Sequence, residues 1–137
     1  MTPAVIDSSV AYKWLSQDGE NGLEQAFAVL WSHRSGELTL VAPAIIHVEL
    51  ANSLRYSKYV TEEDALTLVG ALDDLEIGLI DSTPSRLMAA IDLSYRHGLS
   101  VYDALFLALA EELGCPLISA DRKAFAGIDT DVEIRLI

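Results

Sequence analysis

With 137 residues, 51% of them hydrophobic, the chain has material for one sizeable core and is too apolar to stay disordered. Acids outnumber lysines and arginines 21 to 9, for a net charge of −12. That balance excludes broad electrostatic attraction to nucleic-acid phosphates, but not a nucleic acid met through divalent cations, nor a basic protein partner. The lone cysteine, Cys115, excludes an internal disulfide and a cysteine metal cluster, and its setting in "LGCPLIS" reads as buried and inert.

No apolar run approaches the roughly 18 residues of a membrane span. "MTPAVID" lacks the basic and apolar regions of a signal peptide. A cytoplasmic protein without a membrane partner is therefore expected. Residues 1–137 read as a single domain with no repeat or linker. "AVI" (4–6) predicts a short buried strand, followed by a helix over 8–16 and another over 20–34. "LTLVA" (38–42) is a second strand. Pro43 suits the first turn of the next helix, which runs through "AIIHVELANSLRYSK" to about 58. "TEED" (61–64) opens a helix to about 75 in capping-box style, and "IGLI" (77–80) is a third strand. "STPSRLMAAIDLSYR" (82–96) is a helix with hydroxyl residues ahead of a proline. "SVYDALFLALAEELG" (100–114) is the clearest helix, opened by Ser100 and closed by Gly114. "PLIS" (116–119) and "EIRLI" (133–137) complete the strands. Strands alternating with helices imply an α/β fold on a mostly parallel sheet. Sites in such sheets form beyond the carboxyl ends of the strands, and Asp7 and Asp121 each follow a predicted strand.

Four acids fit a solvated surface poorly. Asp7 stands where a strand passes to a helix; an aspartate N-cap there contributes about 0.5–2 kcal/mol over alanine, and a ligand role is compatible with capping. Glu49 lies on the apolar stripe with Ile45 and Ile46. There an unpaired glutamate needs an arginine, a hydrogen-bond network or a metal, unless it reaches solvent at the edge of the stripe. Asp103 shares a face with Phe106, Leu107 and Ala110. Ser100-x-x-Asp103 resembles a capping box, yet the helix is apolar nearly all round, so its start is buried or in a cleft. Asp121, in "LISADRKAF", also suits a cap for a short helix or turn. Taken together, converging carboxylates repel one another, and such a cluster persists when a cation neutralises it. All-oxygen ligands select hard cations such as Mg²⁺ or Mn²⁺. Those ions polarise phosphoryl oxygens and generate hydroxide from bound water, the equipment of a phosphodiesterase.

"VIDSSVAYKWL", "APAIIHVELANSLR" and "GLSVYDALFLALAEELGCPLISADRKAF" resemble, in order and spacing, the successive motifs of PIN-domain ribonucleases, above all the VapC-type toxins of bacterial toxin–antitoxin pairs. The resemblance spans nearly the whole chain. It implies a three-layer α/β/α sandwich around a parallel sheet and Mg²⁺- or Mn²⁺-dependent endonucleolytic cleavage of RNA, leaving 5′-phosphate and 3′-hydroxyl ends. It implies that Asp7, Glu49, Asp103 and Asp121 form the catalytic set, with Asp7, Asp103 and Glu49 holding the metal, Asp121 completing the pocket or a second metal site, and Ser9 as a secondary contributor. Ser119 stands where the family often has threonine. A homodimer is implied, and an antitoxin whose tail blocks the acidic pocket.

Rival readings make different demands. A phosphoacceptor receiver domain needs paired acids after its first strand, and this chain has "DSS". A metal-independent ribonuclease needs two convergent histidines from His33, His47 and His97. A non-catalytic binding module of the same fold has no need of an intact set of four acids. A PIN-type nuclease of RNA processing or decay, outside toxin–antitoxin systems, is the nearest alternative. RNA phosphates have few partners to choose from: Lys13, Arg55, Lys58, Arg86, Arg122 and Lys123. Tyr12, Trp14, Trp31, Tyr56 and Tyr59 are available for base stacking or for packing.

Overall fold

The computed structural model describes residues 2–137. Five strands, β1 (Thr2–Ile6), β2 (Leu38–Pro43), β3 (Gly78–Ile80), β4 (Leu117–Ser119) and β5 (Ile134–Leu136), form one sheet in the order β3-β2-β1-β4-β5. Every neighbouring pair is parallel. A hairpin cannot join parallel neighbours, so helices make the crossings. α1 (Ser8–Leu15) and α2 (Leu23–Ser35) link β1 to β2. α3 (Ile46–Tyr56), α4 (Glu62–Gly70) and a 3₁₀ turn (Leu72–Leu75) link β2 to β3. α5 (Pro84–His97) and α6 (Val101–Leu113) carry the chain back to β4, and the short α7 (Arg122–Phe125) precedes β5. Right-handed crossovers running in opposite directions put α1–α4 on one face and α5 and α6 on the other. The expected α/β/α layering results. Among the described residues no helix is long and apolar enough to cross a membrane.

Both faces of the central strands are covered, so they are unbroken apolar runs rather than alternating ones. Val5, Ile6, Leu117 and Ile118 are all buried. α6 is buried continuously from Ala104 to Ala110, as a helix apolar on every side must be. It is a rod through the core whose first turn carries Asp103. Thr61, Thr83 and Ser100 cap α4, α5 and α6, accepting from the backbone N–H of Asp64, Arg86 and Asp103. Cys115 is free and buried.

β1 begins at Thr2 rather than at residue 4 and α2 at Leu23 rather than at residue 20, and two further boundaries differ from expectation. Pro43 ends β2 instead of starting α3. It lies past Val41, the last β2 residue paired with β1, so its missing N–H costs that ladder nothing. On the other side it pairs with Ile80, whose carbonyl accepts from Ala44 N–H at 2.8 Å. The helix expected to reach 75 stops at Gly70, and the 3₁₀ turn follows, closed by Glu76 in the left-handed region.

Candidate active site

The chain leaves β1 towards β2 and β3, then returns to β4 on the opposite side of β1. The carboxyl ends of β1 and β4 therefore flank the topological switch point of the sheet, where a crevice opens. Asp7 follows β1, and Asp121 lies two residues beyond β4. The Ile6↔Ile118 register sets Asp7 beside Ser119, and Asp7 N–H donates to Ile118 O at 2.9 Å. α3 supplies Glu49, and the start of α6 supplies Asp103. The result is an open cleft of about 440 Å³ lined by Asp7, Ser9, Glu49, Asp103 and Asp121. All five residues singled out in the sequence stand in it.

Asp7 is 3% exposed. It precedes α1, yet its side chain caps nothing. Instead its Oδ2 accepts from Ser9 Oγ at 2.6 Å and from Ser119 Oγ at 2.9 Å. The same hydroxyls accept in turn from backbone N–H groups, Ser9 from Ala120 at 2.9 Å and Ser119 from Asp121 at 3.0 Å. Two serines thus lock one carboxylate to both strands. Burial raises the Asp7 pKa above the ordinary aspartate value; the two hydroxyls oppose the rise, and the charge of Asp121 adds to it.

Glu49 is pushed up to about 7, first by burial and then by the Asp7 charge, with the Ser8 hydroxyl opposing and Asp103 adding. Its Oε1 is buried without a hydrogen-bond partner. Asp103 is raised by burial, then by Asp7 and Asp121. Asp121 Oδ1 accepts from Ala124 N–H at 3.1 Å, so this acid does cap α7 while lining the cleft.

Among the described residues no three Asp, Glu, His or Cys side chains converge as a finished metal cage. The donor set nevertheless suits a hard divalent cation. It is all carboxylate oxygen. Glu49 Oε1 is an acceptor with nothing to accept from. Burial and mutual repulsion raise three of the acids, and no arginine or lysine figures among the causes. No histidine lines the cleft. His33 instead bridges backbone, with Nδ1 accepting from Leu40 N–H at 3.2 Å and Nε2–H donating to Glu76 O at 3.1 Å.

A PIN-domain family model matches residues 4–130. The chain belongs to the PIN-domain family. A relative from Mycobacterium tuberculosis, named Ribonuclease VapC1, is 31% identical over 140 residues, covering all of this chain and 99% of that protein. The VapC-type resemblance of the motifs is thus matched over the full length. A chain of a toxin–antitoxin complex from Klebsiella pneumoniae superposes with a TM-score of 0.66 at 22% identity, covering 96% of this chain and 99% of that one. A chain of VapBC2 from Rickettsia felis, bound to a promoter DNA fragment, gives 0.71 at 13% identity and covers 99% of both. At those identities the two structures establish a common fold.

The sequence did not show what several residues of this PIN domain touch. Ser119 is fully buried and holds Asp7. Its hydroxyl at a strand end was visible, but its neighbour depends on strand order, which the sequence does not display. Tyr12, Ser53, Lys13 and Glu20 also line the cleft. Trp14 packs inside, its indole N–H donating to Ala26 O at 2.8 Å, whereas Trp31, Tyr56 and Tyr59 are exposed. Arg55 stacks on Tyr56 and Lys58 on Tyr59, and Arg86 is bound to Glu112.

Proposed function

We propose that this chain is a single nuclease domain over residues 1–137, a Mg²⁺- or Mn²⁺-dependent endoribonuclease, and the toxin of a toxin–antitoxin pair. The observation that carries the reading is the buried, unpartnered Oε1 of Glu49 in a cleft shared with Asp7, Asp103 and Asp121. The name of the 31%-identical relative supports RNA as substrate. The similar solved toxin–antitoxin complexes support an antitoxin as partner. Leu87, Met88, Ile91 and Tyr95 form an exposed apolar stripe on α5, which supports a homodimer.

Asp7, Glu49, Asp103 and Asp121 would hold the cation, which when bound polarises a phosphoryl oxygen and lowers the pKa of its water. The chain's own residues prepare the site. Ser9 and Ser119 donate to one oxygen of Asp7 and so fix its orientation. Glu49, its pKa pushed up to about 7, would give up its proton in order to hold the cation. Asp121 is kept at the rim by its bond to Ala124 N–H.

The test is to incubate the purified protein with total bacterial RNA and Mg²⁺ or Mn²⁺, then with EDTA, beside an Asp7→Asn variant, and to map new 5′-phosphate ends by sequencing. Discrete ends that require metal and vanish in the variant are expected. Ends that persist in EDTA and in the variant would overturn the metal mechanism.

A further inference from the structure

Two charged residues are buried among those described, Asp7 at 3% exposure and Lys13 at 7%, and both line the same cleft. Lysine is among the residues least often buried. Here it is the one cation in a lining that also holds Asp7, Glu20, Glu49, Asp103 and Asp121. The proposed substrate is a polyanion, so this cleft needs some group that favours phosphate.

The helix aims Lys13 at that task. Ser9 and Lys13 are four residues apart on α1, hence on one face. Helical side chains lean towards the N-terminus, the end at which Asp7 sits. Lys13 Nζ donates to Glu20 Oε1 at 3.0 Å, the one hydrogen bond the structure gives it. An ammonium has three donors, so two remain for an acceptor in the cleft. Glu20 lies in the connection between α1 and α2 and acts as a tether that fixes where the ammonium stands. The other basic residues are committed elsewhere or stand outside this lining: Arg86 on Glu112, Arg96 on Asp92, Arg135 on Glu133, Arg55 and Lys58 on tyrosine rings.

We propose that Lys13, tethered by Glu20, is the phosphate anchor of the cleft, donating to a non-bridging oxygen of the RNA phosphate that enters it. The inference rests on the nuclease reading for its substrate. The competing account is a purely structural ion pair that closes the α1–α2 connection.

The experiment compares wild type with Lys13→Met, which keeps the aliphatic stem, and with Lys13→Arg and Glu20→Gln. Three readouts are taken: KM and kcat on an RNA carrying the mapped cut, the Kd of adenosine 5′-monophosphate with Mg²⁺ by amide NMR, and the melting temperature. Losing a charge-assisted contact to phosphate should raise both KM and the nucleotide Kd about tenfold or more in Lys13→Met. Lys13→Arg should recover most of the nucleotide affinity, and Glu20→Gln should fall between. A structural pair predicts a lower melting temperature with KM and Kd unchanged, and that result overturns the proposal. If Lys13→Met does not fold, the titration of wild type decides: absence of nucleotide-induced shifts at α1 amides overturns the anchor. Nucleotide binding that depends on Lys13 in a protein that cuts no RNA would sink the nuclease reading and leave the phosphate site standing. Normal cleavage by all variants would do the reverse.

Discussion

Glu112 and Asp7 are acids of one chain in opposite circumstances. Glu112 is exposed and takes the Arg86 guanidinium through Nε at 3.1 Å and Nη2 at 3.2 Å. Glu133, likewise exposed, is held below the usual carboxylate range by Arg135. Asp7 is buried and receives only hydroxyls and backbone N–H, with Glu49, Asp103 and Asp121 beside it in the cleft. The arginines therefore stand where water already screens charge and a pair contributes little. They are missing where a fixed counter-charge would matter most. A permanent arginine among the cleft acids would satisfy them and close the site to any diffusible cation.

The sharpest way to break this contrast is Asp7→Asn. Cleavage should drop by about a thousandfold or more, since the proposed mechanism loses one of the groups that would hold its cation. The melting temperature should hold or rise, because a desolvated negative charge disappears. Calorimetry beside the end-mapping assay checks both; a collapsed fold would show that Asp7 is structural. Next comes Ser119→Ala, which removes a buried donor to that carboxylate and should cost about 1.5–3 kcal/mol in urea unfolding. It should also push the Asp7 pKa further up, visible as a shifted carboxyl resonance.

pH separates the two acid populations more gently. Glu49 binds its proton more tightly folded than unfolded, so between its unfolded value of 4.5 and about 7 the native state carries the extra proton. The metal-free protein should therefore lose stability as pH rises through that window. Asp7 and Asp103, also raised, act in the same direction. Urea midpoints measured without metal across the window should fall, and added Mg²⁺ should restore more at the alkaline end than at the acid end. A midpoint that climbs instead would contradict the buried-acid picture. The smallest effect belongs to Glu112→Gln, an exposed pair whose loss should change stability by about 0–1 kcal/mol and leave cleavage intact.

Element order and the gathering of these acids in one cleft were legible because each left a local mark. Asp7 interrupts an apolar run at a strand end, and Glu49 sits on an apolar stripe. The all-round apolar face of α6 announced a buried rod, so the acid at its start had to lie in a recess. What stayed hidden depends on neighbours distant in sequence. Pro43 looked like a helix start because the pattern shows neither where β1 pairing stops nor that β3 pairs on the far side. The grip of Ser119 on Asp7 needs the β1–β4 pairing, and the burial of Lys13 needs Glu20 folded back from the α1–α2 connection. A capping reading of Asp7 failed for the same reason: two better donors arrive, one of them from another strand.

The hydrogen bond from Ser119 to Asp7 joins positions 112 residues apart. A chain emerging from the ribosome holds Asp7 and Glu49 long before β4 exists, and until β4 inserts beside β1 the first acid has neither its strand partner nor its second hydroxyl. The buried setting of Asp7 is thus completed only when β4 is in place.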